Sequence, residues 1–126
     1  LRMSPELDAG PVYLKKPMSL EASSAEEIYL RAGALSCEMI TEIVTKESIP
    51  TDQDGKVTKF QRRTPEMSSV PSKGDLTKIF DHIRMLDADG YPKAFIEYGD
   101  YRIEFNRSNR YSDRVEASVV ITEKKK

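Results

Sequence analysis

Hydrophobic residues fall at helical spacing in two stretches of this 126-residue chain and alternate in a third. In the first, Ile28, Leu35, Met39 and Ile43 recur along one face, with Ala32 between them and Ile40 and Val44 widening the stripe. The spacing predicts a helix over about 23–46. Its start carries a capping box, either Ser23 with Glu26 or Ser24 with Glu27, and a helix of this length needs a surface to bury its stripe. The second stretch places Leu76, Ile79, Phe80 and Ile83 on one face behind a capping Asp75, and ends before Gly90. Beyond Tyr91 and Pro92 the period changes to two. Strands at 94–98 and 101–105 flank Gly99-Asp100, a two-residue loop that suits a tight hairpin, and Val115, Ala117, Val119 and Ile121 alternate as a third strand.

The remaining segments are punctuated rather than periodic. Residues 1–3 read as strand or loop, 4–11 as a turn marked by Pro5, Gly10 and Pro11, and 12–14 as a short strand. Residues 47–59 are polar and carry Pro50 and Gly55, the composition of a connector. The expected organisation is therefore one α/β segment over 1–47, a linker over 48–74, and a small α+β module over 75–126 with an antiparallel sheet. The lysine-rich end, 123–126, is expected to be solvated, and the chain shows no internal repeat or low-complexity block.

Composition narrows the class. Hydrophobic residues make up 38% and charged residues 33%, enough apolar surface for one modest core and too short a chain for two large domains. The net charge of -1 provides no global positive field, so any contact with RNA must be local. Cys37 is the single cysteine and His82 the single histidine, which excludes an intramolecular disulfide and a Cys/His metal cluster. That usage fits a reducing, cytoplasmic setting. No apolar run reaches membrane-spanning length and no signal-peptide pattern opens the chain, while a first residue other than Met points to a segment of something longer.

Few residues carry chemistry by type and position. Asp8, in the turn Leu7-Asp8-Ala9-Gly10-Pro11-Val12, can aim a carboxylate into a cleft where glycine lets backbone approach a ligand. By composition alone the plainer reading is an Asx-turn, with the side chain bonded to its own backbone. Arg62 and Arg63 can fork onto phosphate oxygens of a nucleotide or tRNA, or form surface pairs with nearby acids, the alternative that the many acidic residues favour. Arg102, Arg107, Arg110 and Arg114 with Tyr98, Tyr101 and Tyr111 suggest a basic, aromatic sheet face, but Glu97, Glu104 and Glu116 interleave with them, as on a solvated strand face. His82 lies mid-helix and reads as a boundary residue, and Tyr29, Cys37 and Met39 as core or flank of the first helix.

Four separated segments, in order, resemble the formyltetrahydrofolate-dependent formyltransferases. Residues 7–12 resemble their aspartate loop. The run Ser24-Ala25-Glu26-Glu27-Ile28-Tyr29-Leu30-Arg31-Ala32 resembles the helix that closes their Rossmann-like catalytic domain. Phe60-Gln61-Arg62-Arg63-Thr64-Pro65-Glu66 is similar to their linker, and the stretch from Ile83 through Gly90-Tyr91-Pro92 to Phe95 to the start of their C-terminal module. The likeness is greatest to methionyl-tRNA formyltransferase-like proteins, and implies the C-terminal end of a Rossmann-like domain followed by that module.

The resemblance implies transfer of a formyl group from 10-formyltetrahydrofolate to a primary amine, through a tetrahedral intermediate that needs oxyanion stabilisation and proton transfer. The family uses an Asn, a His and an Asp. Only the Asp has a counterpart, at Asp8. Glu6, Leu7 and Asp8 are implied to meet the pterin of the formyl donor, the first two through their backbone, and no metal is expected. The implied partners are a small amine substrate or an aminoacyl-tRNA, the N-terminal half of the catalytic domain, and possible further copies of the chain. A fragment of this kind is expected to be inactive alone. The alternative is a stand-alone module that binds RNA or protein without catalysis.

Overall fold

The computed structural model describes residues 1–21 and 24–124. A long helix α1 spans Ala25–Lys46 and a shorter helix α2 spans Leu76–Arg84, with a single 3-10 turn at Pro65–Ser68 between them. Three strands follow, β1 at Ala94–Tyr98, β2 at Tyr101–Arg110 and β3 at Val115–Glu123. The described residues group into two compact units. One contains Leu1–Glu21 and Tyr29–Gln61, the other 24–28 and 62–124.

Helix α1 begins at a reciprocal capping box. The backbone N–H of Ser24 donates to the Glu27 carboxylate at 3.0 Å, and the N–H of Glu27 donates to Ser24 Oγ at 3.2 Å, satisfying two amides that have no partner inside the helix. The other expected box, on Ser23, lies outside the described residues. At the far end Glu47 takes a positive φ of 48°, and the N–H of Ser48 reaches back to the Ile43 carbonyl at 3.4 Å, a Schellman closure. The stripe Ile28, Ala32, Leu35, Met39, Ile43 is half-buried, while Ile40 and Val44 remain exposed.

In the first unit the expected strand at 12–14 contracts to one residue. Val12 exchanges two backbone hydrogen bonds with Thr51, at 2.7 and 3.0 Å, and no ladder continues from them. A strand persists only where successive backbone groups find partners, and Val12 finds a single one. Thr51 belongs to the expected connector, so that segment is tied back to the chain's start. The Rossmann-like part of the expected fold is not seen: among the described residues the regular sheet is entirely antiparallel.

The second unit contains the helix and antiparallel sheet expected of the α+β module, and takes in 24–28 and 62–74 as well, which were expected to lie outside it. Its sheet is an antiparallel meander in the order β1-β2-β3. Gly99, at φ 56°, supplies the left-handed step that closes the β1–β2 hairpin between the paired Tyr98 and Tyr101. Ile83, Leu86 and Ala94 form the buried core, with Val70, Ile79, Phe105 and Ala117 packed around them. Ala94 has no exposed surface, and its small side chain suits a point where the helix lies against the sheet. Strand β2 continues to Arg110, beyond the expected 105, because a bulge between Asn106 and Asn109 restores pairing with β3.

Candidate functional site

The loop around Asp8 is held by its main chain. The N–H of Arg2 donates to the Pro11 carbonyl at 2.7 Å, closing the turn, and Ser4 Oγ donates to the Glu6 carbonyl at 2.8 Å. Gln53 then clamps the inside of the loop: its Nε2 donates to the carbonyls of both Asp8 and Gly10, at 2.7 and 2.8 Å. Gly10 is buried at the closest approach, and a Cβ there would stand 1.7 Å from the Arg2 carbonyl oxygen, so only glycine fits. Asp8 takes a positive φ of 55°, a conformation that aspartate tolerates better than most residues.

This arrangement leaves the functional groups of the loop outward. Asp8 is exposed, and its carboxylate makes no hydrogen bond or ion pair among the described residues, so the Asx-turn anticipated from composition does not form. Leu7 is 93% exposed. Glu6, Leu7 and Asp8 are thus contiguous on one solvent-facing loop. Gln53 was not foreseen as part of it. A glutamine in a polar connector carries no spacing signal, and its role depends on a contact across 43 to 45 positions.

The second unit holds Arg62 and Arg63 in a different setting. They line an open groove of about 1150 Å³ together with Lys78, His82, Leu86 and Tyr91. Arg63 Nη2 donates to the Met67 carbonyl at 2.8 Å, and neither arginine forms an ion pair among the described residues, contrary to the surface pairing that the composition favoured. The acids of the groove are already engaged. Asp75 caps the N–H of Lys78 at 2.8 Å, and Asp81 pairs with Arg84 at 2.6 Å. His82 is a boundary residue, as expected, with Nε2 3.1 Å from the carbonyl of the buried Ser68.

The sheet, by contrast, pairs several of its charges, while Arg107 and Arg110 form no ion pair among the described residues. Arg102 pairs with Glu104 at 2.9 Å and stacks 3.5 Å from the centre of the Phe95 ring; Arg114 pairs with Glu116 and Asp113 and lies over Tyr111. Lys124 pairs with Glu97 at 2.8 Å, which lowers the Glu97 carboxyl below its ordinary range. The register puts Tyr98 and Tyr101 on the opposite face from Arg102, so no mixed basic and aromatic platform forms there. No group of three or more His, Cys, Asp or Glu that suits a metal occurs among the described residues. Nor is any described helix long and apolar enough to cross a membrane.

Comparison with known proteins agrees with this geometry. Residues 65–122, which contain the 3-10 turn, α2 and nearly all of the sheet, match the family model of the methionyl-tRNA formyltransferase C-terminal domain. The solved structure of methionyl-tRNA formyltransferase from Clostridium thermocellum is similar over 97% of this chain, at 43% identity and a TM-score of 0.91. The chain spans about half of that protein's length, 54% of it. No match is found among curated proteins. The chain therefore belongs to the formyltransferase family, is methionyl-tRNA formyltransferase-like, and carries the family's C-terminal domain.

Proposed function

We propose that this chain is a portion of a cytoplasmic enzyme that transfers a formyl group from 10-formyltetrahydrofolate to a primary amine, with residues 1–47 ending a Rossmann-like catalytic domain and Asp8 as its catalytic carboxylate. The observation that carries this reading is the Asp8 loop, whose main chain is locked by Gln53 while its carboxylate stays unengaged. A side chain held without a structural partner on a rigid turn is free to serve a reacting group.

The loop fits the formyl donor. The backbone N–H and C=O of Leu7 have no partner among the described residues, so they can pair with the hydrogen-bonding edge of a pterin, and the exposed Leu7 side chain offers apolar surface to its ring. The Glu6 carbonyl already accepts from Ser4 but keeps a second lone pair. The donor, when bound, supplies the activated formyl carbon. As the amine nitrogen bonds to that carbon it must lose a proton, and the folate nitrogen that leaves must gain one. Asp8 is the acceptor this chain offers, either directly or by orienting an imidazole from the N-terminal half of the domain. That half also supplies the oxyanion donors.

The acceptor amine is either methionyl-tRNA or an amino sugar on a nucleotide. Both carry phosphate, and Arg62 and Arg63, which form no ion pair among the described residues, are groups of the second unit that suit a phosphate in their own right. The test is reconstitution. The purified chain with 10-formyltetrahydrofolate and either acceptor should show no turnover, and adding a polypeptide that carries the family's Asn-x-His segment should restore it. Asp8→Ala should then cost roughly 10²-fold or more in kcat. Turnover by the chain alone that vanishes in Asp8→Ala would overturn the fragment reading. A second reading, a binding module without catalysis, draws on the cationic groove. It predicts salt-dependent tRNA binding that weakens in Arg62→Ala and Arg63→Ala without any formyl transfer in the reconstituted mixture.

A further inference from the structure

The groove of the second unit changes character along α2. Asp75, Lys78, His82 and Met85 follow one another at steps of three and four residues, so they share one face of the helix, and Lys78 and Met85 stand roughly 10 Å apart along its axis. The Lys78 end is cationic. A Cβ on Gly74 would stand 2.6 Å from Lys78 Cδ, so the lysine stem lies across the glycine, and its ammonium forms no ion pair among the described residues. The Met85 end is apolar and aromatic. There Gly90, at φ 73°, turns the chain so that Tyr91 and Pro92 line the same groove, with Met85 42% and Tyr91 44% exposed.

The other wall, from Arg62 to Ser68, is tied to the helix. His82 Nε2 meets the Ser68 carbonyl at 3.1 Å, and because a carbonyl only accepts, that nitrogen carries the proton. One residue earlier the Met67 carbonyl accepts from Arg63 Nη2 at 2.8 Å. Consecutive carbonyls thus hold the helix and an arginine to one strip of main chain, which keeps Arg63 near His82, a single turn along α2 from Lys78. Arg63 uses one of its five N–H groups in this bond and keeps the others for a ligand. A groove whose walls are already fastened together needs little reordering on binding.

We infer that this groove binds a free nucleoside monophosphate, with the phosphate held by Arg62, Arg63 and Lys78 and the base laid against Tyr91 and Met85. Guanidinium forks match phosphate oxygens in pairs, and an ammonium adds a point charge. The tyrosine ring can stack on any base, and the thioether of Met85 adds a soft contact to its edge. The roughly 10 Å between the cationic and aromatic ends leaves room for one nucleotide. A polynucleotide fits less well, because a further phosphate carried past the start of α2 meets the Asp75 carboxylate, and the whole chain bears a net charge of -1. The inference extends the phosphate role given above to Arg62 and Arg63, and rests on that role alone and not on Asp8. Nucleotide recognition is then a property of the C-terminal module itself.

Calorimetric titration of the full 126-residue chain with uridine and adenosine monophosphates, with no formyl donor present, should find one site per chain. Inorganic phosphate and the unphosphorylated nucleosides should bind roughly tenfold more weakly or worse. Arg62→Ala and Lys78→Ala should each weaken the nucleotide about tenfold, as for a lost hydrogen bond to a charged group. Tyr91→Ala should cost a similar factor, whereas Tyr91→Phe, which keeps the ring, should bind as the wild type does. In the wild-type chain, amide NMR shifts during the titration should concentrate at Lys78, His82, Met85 and Tyr91, a readout that stands even where a variant fails to fold. The absence of both heat and shifts at millimolar nucleotide overturns the inference. So does binding that all three alanine variants leave intact, inorganic phosphate that binds as tightly as the nucleotides, or tRNA that binds where the monophosphates do not.

Discussion

The Asp87 carboxylate accepts the backbone N–H of Arg107 at 2.7 Å, fastening the turn after α2 to the bulge in β2. Arg107 sits at a positive φ of 50°, a conformation that costs a residue with a side chain, and the charged acceptor offsets that cost. The other oxygen of Asp87 takes the Lys93 ammonium at 3.0 Å, and its backbone carbonyl accepts from Glu26 N–H at 3.1 Å. Asp87→Ala removes the acceptor for two donors at once. It is expected to lower the stability of the module by about 1–3 kcal/mol, read from urea unfolding, and Asp87→Asn, which keeps an acceptor for Arg107, should lose less.

The clamp on the Asp8 loop yields a prediction that separates positioning from folding. Gln53→Ala frees the Asp8 and Gly10 carbonyls to solvent but removes no core contact. In the reconstituted enzyme it should reduce kcat by roughly 10-fold to 100-fold with little change in melting temperature, since a loosened catalytic group is misplaced more often than it is lost. Gly10→Ala should do more damage. Its new methyl collides with backbone at Arg2, so the loop itself must open, which limited proteolysis near residue 8 would register.

At the start of α1, Ser24→Ala deletes the hydroxyl that receives the Glu27 amide. The expected loss is about 1 kcal/mol, as for other N-cap residues, measured as a fall in the thermal midpoint. Ser24→Asp retains an acceptor and should recover most of it.

Glu42 is held between Lys46 at 2.8 Å and Lys16 at 2.9 Å. The hydrogen bond from Lys46, then that from Lys16, and the charge of both ammonium groups bring its carboxyl from an ordinary 4.5 down to about 2. A depressed folded-state value means that the contribution to stability is present above pH 4.5 and is lost as the pH falls toward 2. The site is open to solvent, so the effect should shrink with added salt. A carbon-detected NMR titration should find the Glu42 midpoint near 2 in low salt, and Glu42→Gln should flatten the pH dependence of unfolding within that window. A midpoint close to 4.5 would show that the two lysines do not hold it.

The secondary structure was largely legible because its causes are local. The Ser24 and Glu27 box, the Asp75 cap on Lys78 and the Gly99 turn each act within a few residues, and helical or alternating apolar positions report which side of an element is buried. The short strand at 12–14 misled for the converse reason: its residues suit a strand, but a strand exists only through its neighbour, and Val12 has one partner residue. The candidate site divides in the same way. Asp8 could be singled out by residue type and by the ordered resemblance of its surroundings, whereas Gln53 could not, because an amide in a polar connector looks like any other surface residue.

What the sequence by itself determined here is the order and kind of elements, the caps that start them, the family resemblance, and Asp8 as the residue to watch. Tertiary structure alone decided that the Asp8 carboxylate is unengaged while its carbonyl is clamped, that Arg62 and Arg63 share a groove with Lys78, and that Asp87 holds the bulge at Arg107. Capping and amphipathic periodicity are enforced by bonds between near neighbours and leave a regular trace in the chain. A hydrogen bond spanning 20 or 45 positions leaves none, because either partner can satisfy water equally well until the fold brings the two together.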